Sequence, residues 1–406
     1  MDVVSNIRAA NAGREQERLQ IKYRKMNGDP FVFLRGTCHL FYNRLPSHSI
    51  FQTAPAVWSC GDLHLENYGS YKGNNRLIYF DINDFEEAVL APATWDVVRM
   101  LTSIRLGAAD KGLNRSVATR LCTAFVDTYA SALAQGKALW VERDTANGLV
   151  KDLFEALRKR TRAKFLDDRT KSRGGLRTLR IDGQEVKWDK KRMLAVSDDD
   201  RSAVELALGA FAKTQESPGF YRVRGVARRI AGTGSLGLGR FAVLVEGKGS
   251  PNGNYLLDLK QSTRSSLVDR LEIAQPQWET EAERIVELQR RMQAVSAAFL
   301  HPLVVGGHPY VLRELQPTDD SAKLDASKRP AKIEQLLETM GRIVAWSQLR
   351  SAGRAGSVMA DRLIDFGGDA DWRPTLIALS EDCAAQVRKD SAVFDRAYKQ
   401  EAFEAA

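Results

Sequence analysis

The chain has 406 residues and a formal net charge of +9, with 44% hydrophobic and 27% charged residues. These fractions exclude disordered, collagen-like and disulfide-scaffold proteins, and the length suits two or three structural units. The four cysteines show no CxxC spacing, which argues against a zinc module and suits a reducing compartment. Because no stretch approaches the roughly 18 apolar residues of a membrane span, we expect a cytoplasmic protein with no membrane partner.

The first half of the chain is predicted to be mainly helical, with short strands between the helices. Residues 5–27 are polar and helix-forming, whereas residues 31–36 have the aromatic and branched composition of a short strand closed by glycine. Further strands are expected at 57–60 and 76–80. The apolar spacing between residues 95 and 135 is helical.

The character of the sequence changes after Pro218. Strands are predicted before and after a glycine-rich stretch and again at 255–260, followed by a strong helix, two more strands and a helical C-terminal part. We therefore expect three parts: a mainly helical part at 1–218, a β-rich part at 219–317 and a helical part at 318–406.

A first cluster of polar residues has the composition of a phosphoryl-transfer site. Asp62 lies on a turn after a predicted strand and could accept the proton of an attacking hydroxyl. Asn67 and Asp81 could supply oxygen ligands to Mg²⁺, with Asp84 as an accessory ligand. The alternative is that these are ordinary solvated acidic turns, which is the better explanation for any one of them alone.

A second cluster is the GxGxxG stretch made of Gly232, Thr233, Gly234, Ser235, Leu236 and Gly237. Because the following residues are strand-like, the stretch fits the phosphate-covering loop of a kinase better than a Rossmann turn. Lys260 on the third strand could then reach the α- and β-phosphates of ATP, with Glu281 on the next helix as its partner. A simple turn and a surface lysine are the alternative interpretation.

The positive charge is concentrated between residues 151 and 192, where 15 Lys and Arg face 7 Asp and Glu, a net of 15 − 7 = +8. Such a segment could bind nucleic acid or another anionic partner. A solvated surface helix and loop is the favoured explanation, because the aromatic residues typical of single-strand binding are few.

The motif Gly61-Asp62-Leu63-His64-x-x-Asn67 resembles the catalytic loop of the aminoglycoside-phosphotransferase and choline-kinase branch of the protein-kinase-like superfamily, although Cys60 replaces its leading histidine. The same motifs, with Trp95-Asp96 and the glycine stretch, resemble the bacterial family called domain of unknown function 2252. The resemblance implies that Asp62 is the catalytic base, that Asn67 and Asp81 bind metal and that Asp96 is structural. It also implies that the backbone near Glu314 lies between two lobes, where we expect it to contact adenine.

In kinases the glycine loop and lysine precede the catalytic loop, whereas here they follow it. The resemblance therefore implies a two-lobed α+β kinase-like fold with circularly permuted order. Residues 219–317 would form the small β-rich nucleotide-binding lobe, and 1–218 together with 318–406 would form the large lobe. The expected function is ATP- and Mg²⁺-dependent phosphotransfer to an unidentified hydroxyl acceptor. The alternatives are nucleotidyl transfer, a non-catalytic ATP-binding scaffold, and nucleic-acid binding through residues 151–192.

Overall fold

The protein has a mixed α+β fold. The structure, a computed structural model, describes residues 2–181, 193–317, 320–321 and 330–404. It contains 48% helix and 17% strand, which confirms the α+β class predicted from the sequence.

The first part of the chain is mostly helical and contains short antiparallel strands. Strand β1 pairs with β4, and β2 pairs with both β3 and the later strand β13. The elements of this part are α1 (Val3–Ala10), α2 (Gln16–Met26), α3 (Pro30–Gly36), α4 (Cys38–Asn43), α5 (Ile50–Thr53), β1 (Ala56–Ser59), β2 (Tyr68–Lys72), β3 (Ile78–Ile82), β4 (Val89–Pro92), α6 (Thr94–Asp110) and α7 (Arg115–Ala134).

The prediction of a strand at residues 31–36 is wrong, because this segment lies in helix α3. The Asp29 carboxylate caps the helix by accepting hydrogen bonds from the backbone N–H groups of Phe31 at 2.9 Å and Val32 at 3.0 Å. Pro30 occupies the first helical turn, where its missing N–H is not needed. These start signals outweigh the strand-like composition of the segment.

The strands and helices predicted for the second part are largely confirmed. A hairpin of β5 and β6 precedes the large sheet, and three helices close the chain. The elements are α8 (Gly148–Leu157), α9 (Arg162–Asp167), β5 (Thr170–Arg173), β6 (Leu176–Leu179), β7 (Met193–Leu194), α10 (Asp198–Ala212), β8 (Val223–Arg229), β9 (Arg240–Val245), β10 (Tyr255–Gln261), α11 (Glu281–Met292), β11 (His301–Val305), β12 (His308–Glu314), β13 (Asp320–Ser321), α12 (Pro330–Ser351), α13 (Ala360–Gly368) and α14 (Trp372–Lys399).

The large antiparallel sheet has the strand order β11-β12-β10-β9-β8-β7. Alternate residues of each strand point to opposite faces, so the sheet has two cores. On one face Val243 and Leu257 pack with Leu208 of α10. On the other, Leu244 and Leu256 pack with residues of α9 and the β5–β6 hairpin. The sheet unit therefore includes β7 and α10, which precede the expected boundary at residue 219.

The helices α6, α7, α12 and α14 share one large core with the short strands β1 to β4. We call this part the helical body. Helix α11 joins the body to the sheet, because Ile285 and Leu288 belong to the body core while the helix also contacts β11 and β12. The space between body and sheet is the place where both sets of predicted site residues meet.

Candidate functional site

A cavity of about 370 Å³ lies between the helical body and the large sheet. Most of the residues predicted from the sequence line it, and these are Asp62, Asn67, Asp84, Gly232, Thr233, Gly234, Ser235 and Lys260. The predicted residues that do not line it are Asp81, Gly237, Glu281 and Glu314. The structure thus brings together two motifs that are about 170 residues apart in sequence.

Asp96, at the start of α6, holds the turn that carries Asp62 by accepting hydrogen bonds from its backbone. The Asp96 carboxylate accepts hydrogen bonds from the backbone N–H groups of Cys60 at 2.9 Å and Gly61 at 3.0 Å. Burial raises the pKa of Asp96 to about 6. Gly61 has φ of +79°, and a Cβ there would lie 2.2 Å from the Glu87 carbonyl oxygen. The turn therefore requires glycine, and Asp96 has the structural role that the sequence predicted.

Asp62 faces the cavity and is paired with Arg99. The Arg99 Nε donates to Asp62 Oδ1 at 2.8 Å, and its Nη2 also contacts that oxygen and donates to the Leu34 carbonyl at 3.0 Å. The Arg99 side chain is fully buried, whereas 23% of the Asp62 side chain is exposed. Although burial lowers it, the pKa of Arg99 lies above its ordinary value because of the Asp62 carboxylate. This pair fixes the position of the Asp62 carboxylate at the cavity wall.

Asn67 connects the Asp62 turn to the loop after β3. Its amide nitrogen donates to the backbone carbonyls of Asp62 at 3.0 Å and Asp84 at 3.2 Å. Its amide oxygen accepts a hydrogen bond from the backbone N–H of Asp84 at 2.8 Å. Asn67 therefore braces the two acidic loops, and one lone pair of its oxygen is already used for that brace.

Asp81 and Asp84 have different surroundings. Asp81 is buried on β3, and its two carboxylate oxygens accept from the backbone N–H groups of Ile82 at 2.9 Å and Ala294 at 3.1 Å, with Arg350 at 3.6 Å. Burial raises its pKa, and it does not line the cavity. Asp84 follows β3, lines the cavity and has a side chain that is 51% exposed. Of the two, Asp84 is the carboxylate placed to meet a ligand.

Lys260 reaches across the cavity from β10 to the loop after β3. Its ammonium lies 3.6 Å from Asp84 Oδ2 and contacts the Glu86 carboxylate. Burial lowers the pKa of Lys260, while the charge of Asp84 opposes that change. The lysine therefore takes its partners from the helical body.

Glu281, the predicted partner of Lys260, lies elsewhere. It is the first residue of α11 and pairs with Arg284 of the same helix, with 2.6 Å between its Oε2 and the arginine Nε. Arg284 in turn donates to the carbonyls of Glu86 at 2.8 Å and Ala88 at 2.6 Å. The residues of α11 that share a small pocket with Lys260 and Asp84 are Ile285 and Gln289. Helix α11 thus positions the acidic loop through Arg284.

The glycine-rich loop between β8 and β9 forms one wall of the cavity. Residues near the N-terminus fasten it: Arg14 donates to the Gly234 carbonyl at 2.6 Å, and Lys22 donates to the same oxygen at 3.2 Å. The Gly237 carbonyl, outside the cavity, accepts from the Glu15 N–H at 3.0 Å. Burial holds the pKa of Lys22 well below its ordinary value. No sequence motif indicated these two cationic residues.

Glu314, predicted to lie at an adenine contact, is a structural residue with a buried side chain. Its carboxylate pairs with Arg76 of the β2–β3 turn at 2.9 Å and with Arg162 of α9 at 3.1 Å, and its backbone N–H donates to the Ala298 carbonyl at 3.0 Å. The next two residues, Leu315 and Gln316, do line the cavity. The segment after β12 therefore reaches the cavity just after Glu314.

The described part of the basic segment, residues 151–181, packs on the sheet through α9 and the β5–β6 hairpin. Arg162 pairs with Glu314, and Arg177 pairs with Asp167 at 2.7 Å. Arg169 of the same segment lines the cavity. Residues 182–192, which include Trp188, lie outside the described residues. Within the described part, several arginines that contribute to the net positive charge therefore form ion pairs or line the cavity.

The cavity has an acidic and a cationic wall. The loops of the body contribute carboxylates at residues 62, 66, 84, 86 and 87. The sheet, the hairpin segment and the N-terminal helices contribute cations, among which are Arg14, Lys22, Arg169, Arg229, Arg240, Lys260 and Arg313. Opposed walls of this kind suit a ligand that carries both a metal cation and phosphates.

The fold and cavity define an α+β protein with a charged site between a helical body and an antiparallel sheet. The sequence profile of one bacterial family matches residues 14–397, and the family is described as "uncharacterized protein conserved in bacteria", domain of unknown function 2252. The chain belongs to this family, as its motifs predicted. No curated protein and no solved structure gives a significant match. No helix in the described ranges is long and apolar enough to cross a membrane.

Proposed function

We propose that the protein is an ATP- and Mg²⁺-dependent phosphotransferase, in the broad sense that it transfers a phosphorus-containing group of ATP to a hydroxyl acceptor. The observation that carries this proposal is the meeting of Asp62, Asp84 and Lys260 in one cavity beneath a glycine-rich loop. Phosphoryl-transfer sites use a base, metal-binding oxygens and a lysine in these roles.

The order of elements in the sheet unit supports a kinase-like fold. Strands β8 and β9 flank the glycine loop, the next strand β10 carries Lys260, and helix α11 follows. Protein kinases have the same order of glycine loop, lysine strand and helix. In the body, the hairpin of β2 and β3 separates Asn67 from Asp84. Because these body elements precede the sheet unit in the chain, we propose that the kinase-like order is circularly permuted.

The acidic wall fits Mg²⁺ better than a metal that needs a closed protein cage. Among the described residues, no three His, Cys, Asp or Glu side chains form a metal cluster. Mg²⁺ is usually held by one or two carboxylates together with phosphates and water. Asp84 and Asp62 would supply those carboxylates, and the bound ion would neutralise phosphate charge. Asp62, held by Arg99, is also placed to accept the proton of the acceptor hydroxyl.

The test compares Asp81, which the sequence analysis expected to bind metal, with Asp84, which it expected to be an accessory ligand. Calorimetry of ATP binding with and without Mg²⁺ is measured for the wild type, Lys260→Met, Asp84→Asn and Asp81→Asn. We expect Lys260→Met to weaken ATP binding and Asp84→Asn to remove its Mg²⁺ dependence. We expect Asp81→Asn to lower the free energy of unfolding but to keep Mg²⁺-dependent binding while folded, because Asp81 contacts backbone N–H groups away from the cavity.

Turnover separates an enzyme from a scaffold. ATP consumption that is lost in Asp62→Asn, with ATP binding retained, supports the transferase. Binding without turnover under all Mg²⁺ and Mn²⁺ conditions would favour the scaffold. A folded wild type that binds no ATP would refute the site assignment.

A further inference from the structure

The sheet face that lines the cavity changes its chemistry along the strands. Lys260 lies opposite Arg240 of β9, at the edge nearest the glycine loop. Two residues along β10, about 7 Å away, Asp258 lies opposite Arg313 of β12. Another two residues along is the apolar Leu256. The face therefore runs from a cationic row, through a row with Asp258 and Arg313, to an apolar row.

The apolar row is already covered by the protein's own hairpin segment. Leu244 and Leu256 of the sheet pack with Leu166 and Leu179, and Ala242 of the Asp258 row belongs to the same cluster. Leu315, just after β12, belongs to the same apolar cluster. It is the member of that cluster that lines the cavity within the described residues. A ring of Phe165 also lines it, but the Arg169 guanidinium lies 3.9 Å from the centre of that ring. This end of the cavity therefore offers little apolar surface for a nucleobase.

The same end is rich in arginine. Asp258 is fully buried and accepts from Arg229 Nη1 at 2.8 Å, from Arg240 Nε at 2.9 Å and from Arg313 Nε at 3.4 Å. Although burial raises it, the pKa of Asp258 lies well below its ordinary value because of these arginines. One carboxylate is thus shared by three guanidinium groups.

Two of these arginines keep donors for a ligand. Arg229 and Arg313 each use one nitrogen on Asp258, and among the described residues no other hydrogen bond is made by either side chain. Arg169 donates one hydrogen bond, to the Phe165 carbonyl at 3.2 Å. Because a guanidinium has five N–H donors, these three arginines have donors left to face the cavity that all of them line.

We propose that the β- and γ-phosphates of ATP bind to Arg169, Arg229 and Arg313, which places the α-phosphate beside Lys260 and the acidic wall. The transferred group is then the nucleotidyl group, and the protein is a nucleotidyltransferase. This inference rests on the proposed use of ATP and names the reaction of that same site. The most negative part of the nucleotide meets the arginines, while the base points away from an end that has no apolar slot for it.

The reaction balances without another reactant. The acceptor oxygen forms a bond to the α-phosphorus, and the bond from that phosphorus to the oxygen bridging the α- and β-phosphates breaks. The electron pair of the broken bond leaves with pyrophosphate, whose charge the arginines stabilise. The acceptor proton passes to the Asp62 carboxylate and then to solvent. The products are the nucleotidylated acceptor and pyrophosphate.

The proposal also gives the basic segment a role. Arg169 reaches the cavity because α9 and the β5–β6 hairpin pack on the sheet. The segment then serves as a phosphate-binding part of the site, and its outward arginines, such as Arg173, are not needed for it.

The first experiment identifies the products of slow ATP hydrolysis, in which water replaces the acceptor. Wild-type protein is incubated with ATP and Mg²⁺, and nucleotides and phosphates are separated by anion-exchange chromatography, with Asp62→Asn as the background control. AMP and pyrophosphate are expected. ADP and inorganic phosphate would overturn the proposal but leave the proposed phosphotransferase standing, whereas a wild type that does not bind ATP would overturn both.

A binding comparison decides the matter if hydrolysis is too slow to detect. Affinities for ATP, AMP and pyrophosphate are measured for the wild type, Arg169→Gln, Arg313→Gln and the control Arg173→Gln from the same hairpin. We expect Arg169→Gln and Arg313→Gln each to weaken ATP and pyrophosphate binding by about tenfold, while AMP affinity stays within about twofold. Arg313 suits this test because Arg229 and Arg240 remain on Asp258 without it.

Two outcomes of this comparison would overturn the proposal. Equal losses for ATP and AMP would mean that the arginines contact the nucleoside end. Equal losses in Arg173→Gln and Arg169→Gln would mean that anions, including nucleic acid, bind the outer surface of the hairpin.

Discussion

Removal of the Asp62 side chain tests stability and function together, because its partner Arg99 is fully buried. In Asp62→Ala the Arg99 guanidinium loses the carboxylate that accepts from its Nε at 2.8 Å. Breaking a buried ion pair from one side costs about 3–5 kcal/mol. Asp62 is 23% exposed, and Arg99 keeps the Leu34 carbonyl and the Phe41 ring 5.0 Å away. We therefore expect a loss near the lower end, about 3 kcal/mol.

Two further variants are expected to lose less stability than Asp62→Ala. Asp62→Asn keeps an oxygen that accepts from Arg99 but removes the negative charge, so we expect an intermediate loss of stability. Asp84→Ala removes a carboxylate that is 51% exposed and 3.6 Å from Lys260. Exposed pairs of this kind contribute less than about 1 kcal/mol, so this variant is the matched control.

The assay is urea unfolding followed by tryptophan fluorescence and by circular dichroism, whose transitions must coincide for a two-state analysis. Equal unfolding free energies for Asp62→Ala and Asp84→Ala would refute the reasoning about Arg99. These unfolding curves also define the conditions for activity assays. A loss of turnover in Asp62→Asn can be interpreted only under conditions in which that variant is folded.

Three further predictions concern the walls of the cavity. Gly61→Ala should destabilise the protein by about 2 kcal/mol more than Gly28→Ala, since both glycines have φ of +79° but a Cβ at Gly28 meets no atom within 4 Å, and equal urea midpoints would contradict this. Burial holds the Asp96 pKa at about 6, above its ordinary 3.8, so the folded state binds the proton more tightly. The free energy of unfolding should therefore fall by about 3 kcal/mol as the pH rises from about 4 to about 6. If Asp96→Asn does not reduce this pH dependence of stability, the prediction is wrong. Lys22→Met should change global stability by less than about 1 kcal/mol but speed amide exchange in residues 232–235, because it removes a donor to the Gly234 carbonyl; unchanged exchange would disprove the clamp.

The parts of the fold that the sequence predicted are those with strong local signals. The strands at 255–260 and 310–315 show apolar composition between turn residues, and Ser197 caps α10 by accepting from the Asp200 N–H at 3.1 Å. The strand expected at 31–36 failed because a capping aspartate and a proline start a helix there. The helix-start signals at Asp29 and Pro30 therefore outweighed the strand-like composition of residues 31–36.

The sequence best predicted which residues line the cavity where a motif fixes both residue type and position along the chain. Asp62, Asn67 and Lys260 are such residues. The sequence analysis chose Asp81 as the metal ligand and Asp84 as an accessory one, whereas in the structure Asp84 lines the cavity and Asp81 does not. The difference depends on where β3 ends and on which carboxylate accepts from the backbone N–H of residue 294. The sequence analysis likewise made Glu281 the partner of Lys260, but it could not show that Glu281 lies in the first turn of α11 and pairs with Arg284.

Partners that come from distant segments leave no local signal at all. Arg99 and Asp62 are 37 residues apart, and Lys22 and Gly234 are 212 apart. Each of these contacts depends on how the body packs against the sheet. They nonetheless decide which groups are ionised and which loops are held, so the chemistry of the site is a property of the packed structure.

The N-terminal helices pack against the described C-terminal end of the chain, which makes the proposed permuted order testable by engineering. Arg8 of α1 donates to the Ala402 carbonyl, and the Gln20 side chain of α2 donates to the Phe403 carbonyl at 2.6 Å. A flexible linker from the C-terminus to the N-terminus, with new ends in the exposed turn at 214–217, would place the sheet strands before the Asp62 turn. Because the contacts that hold the cavity run between segments, we expect this variant to fold and to bind Mg²⁺ and ATP like the wild type. A relinked chain that unfolds at much lower urea would show that the order of segments itself contributes to the stability of the site.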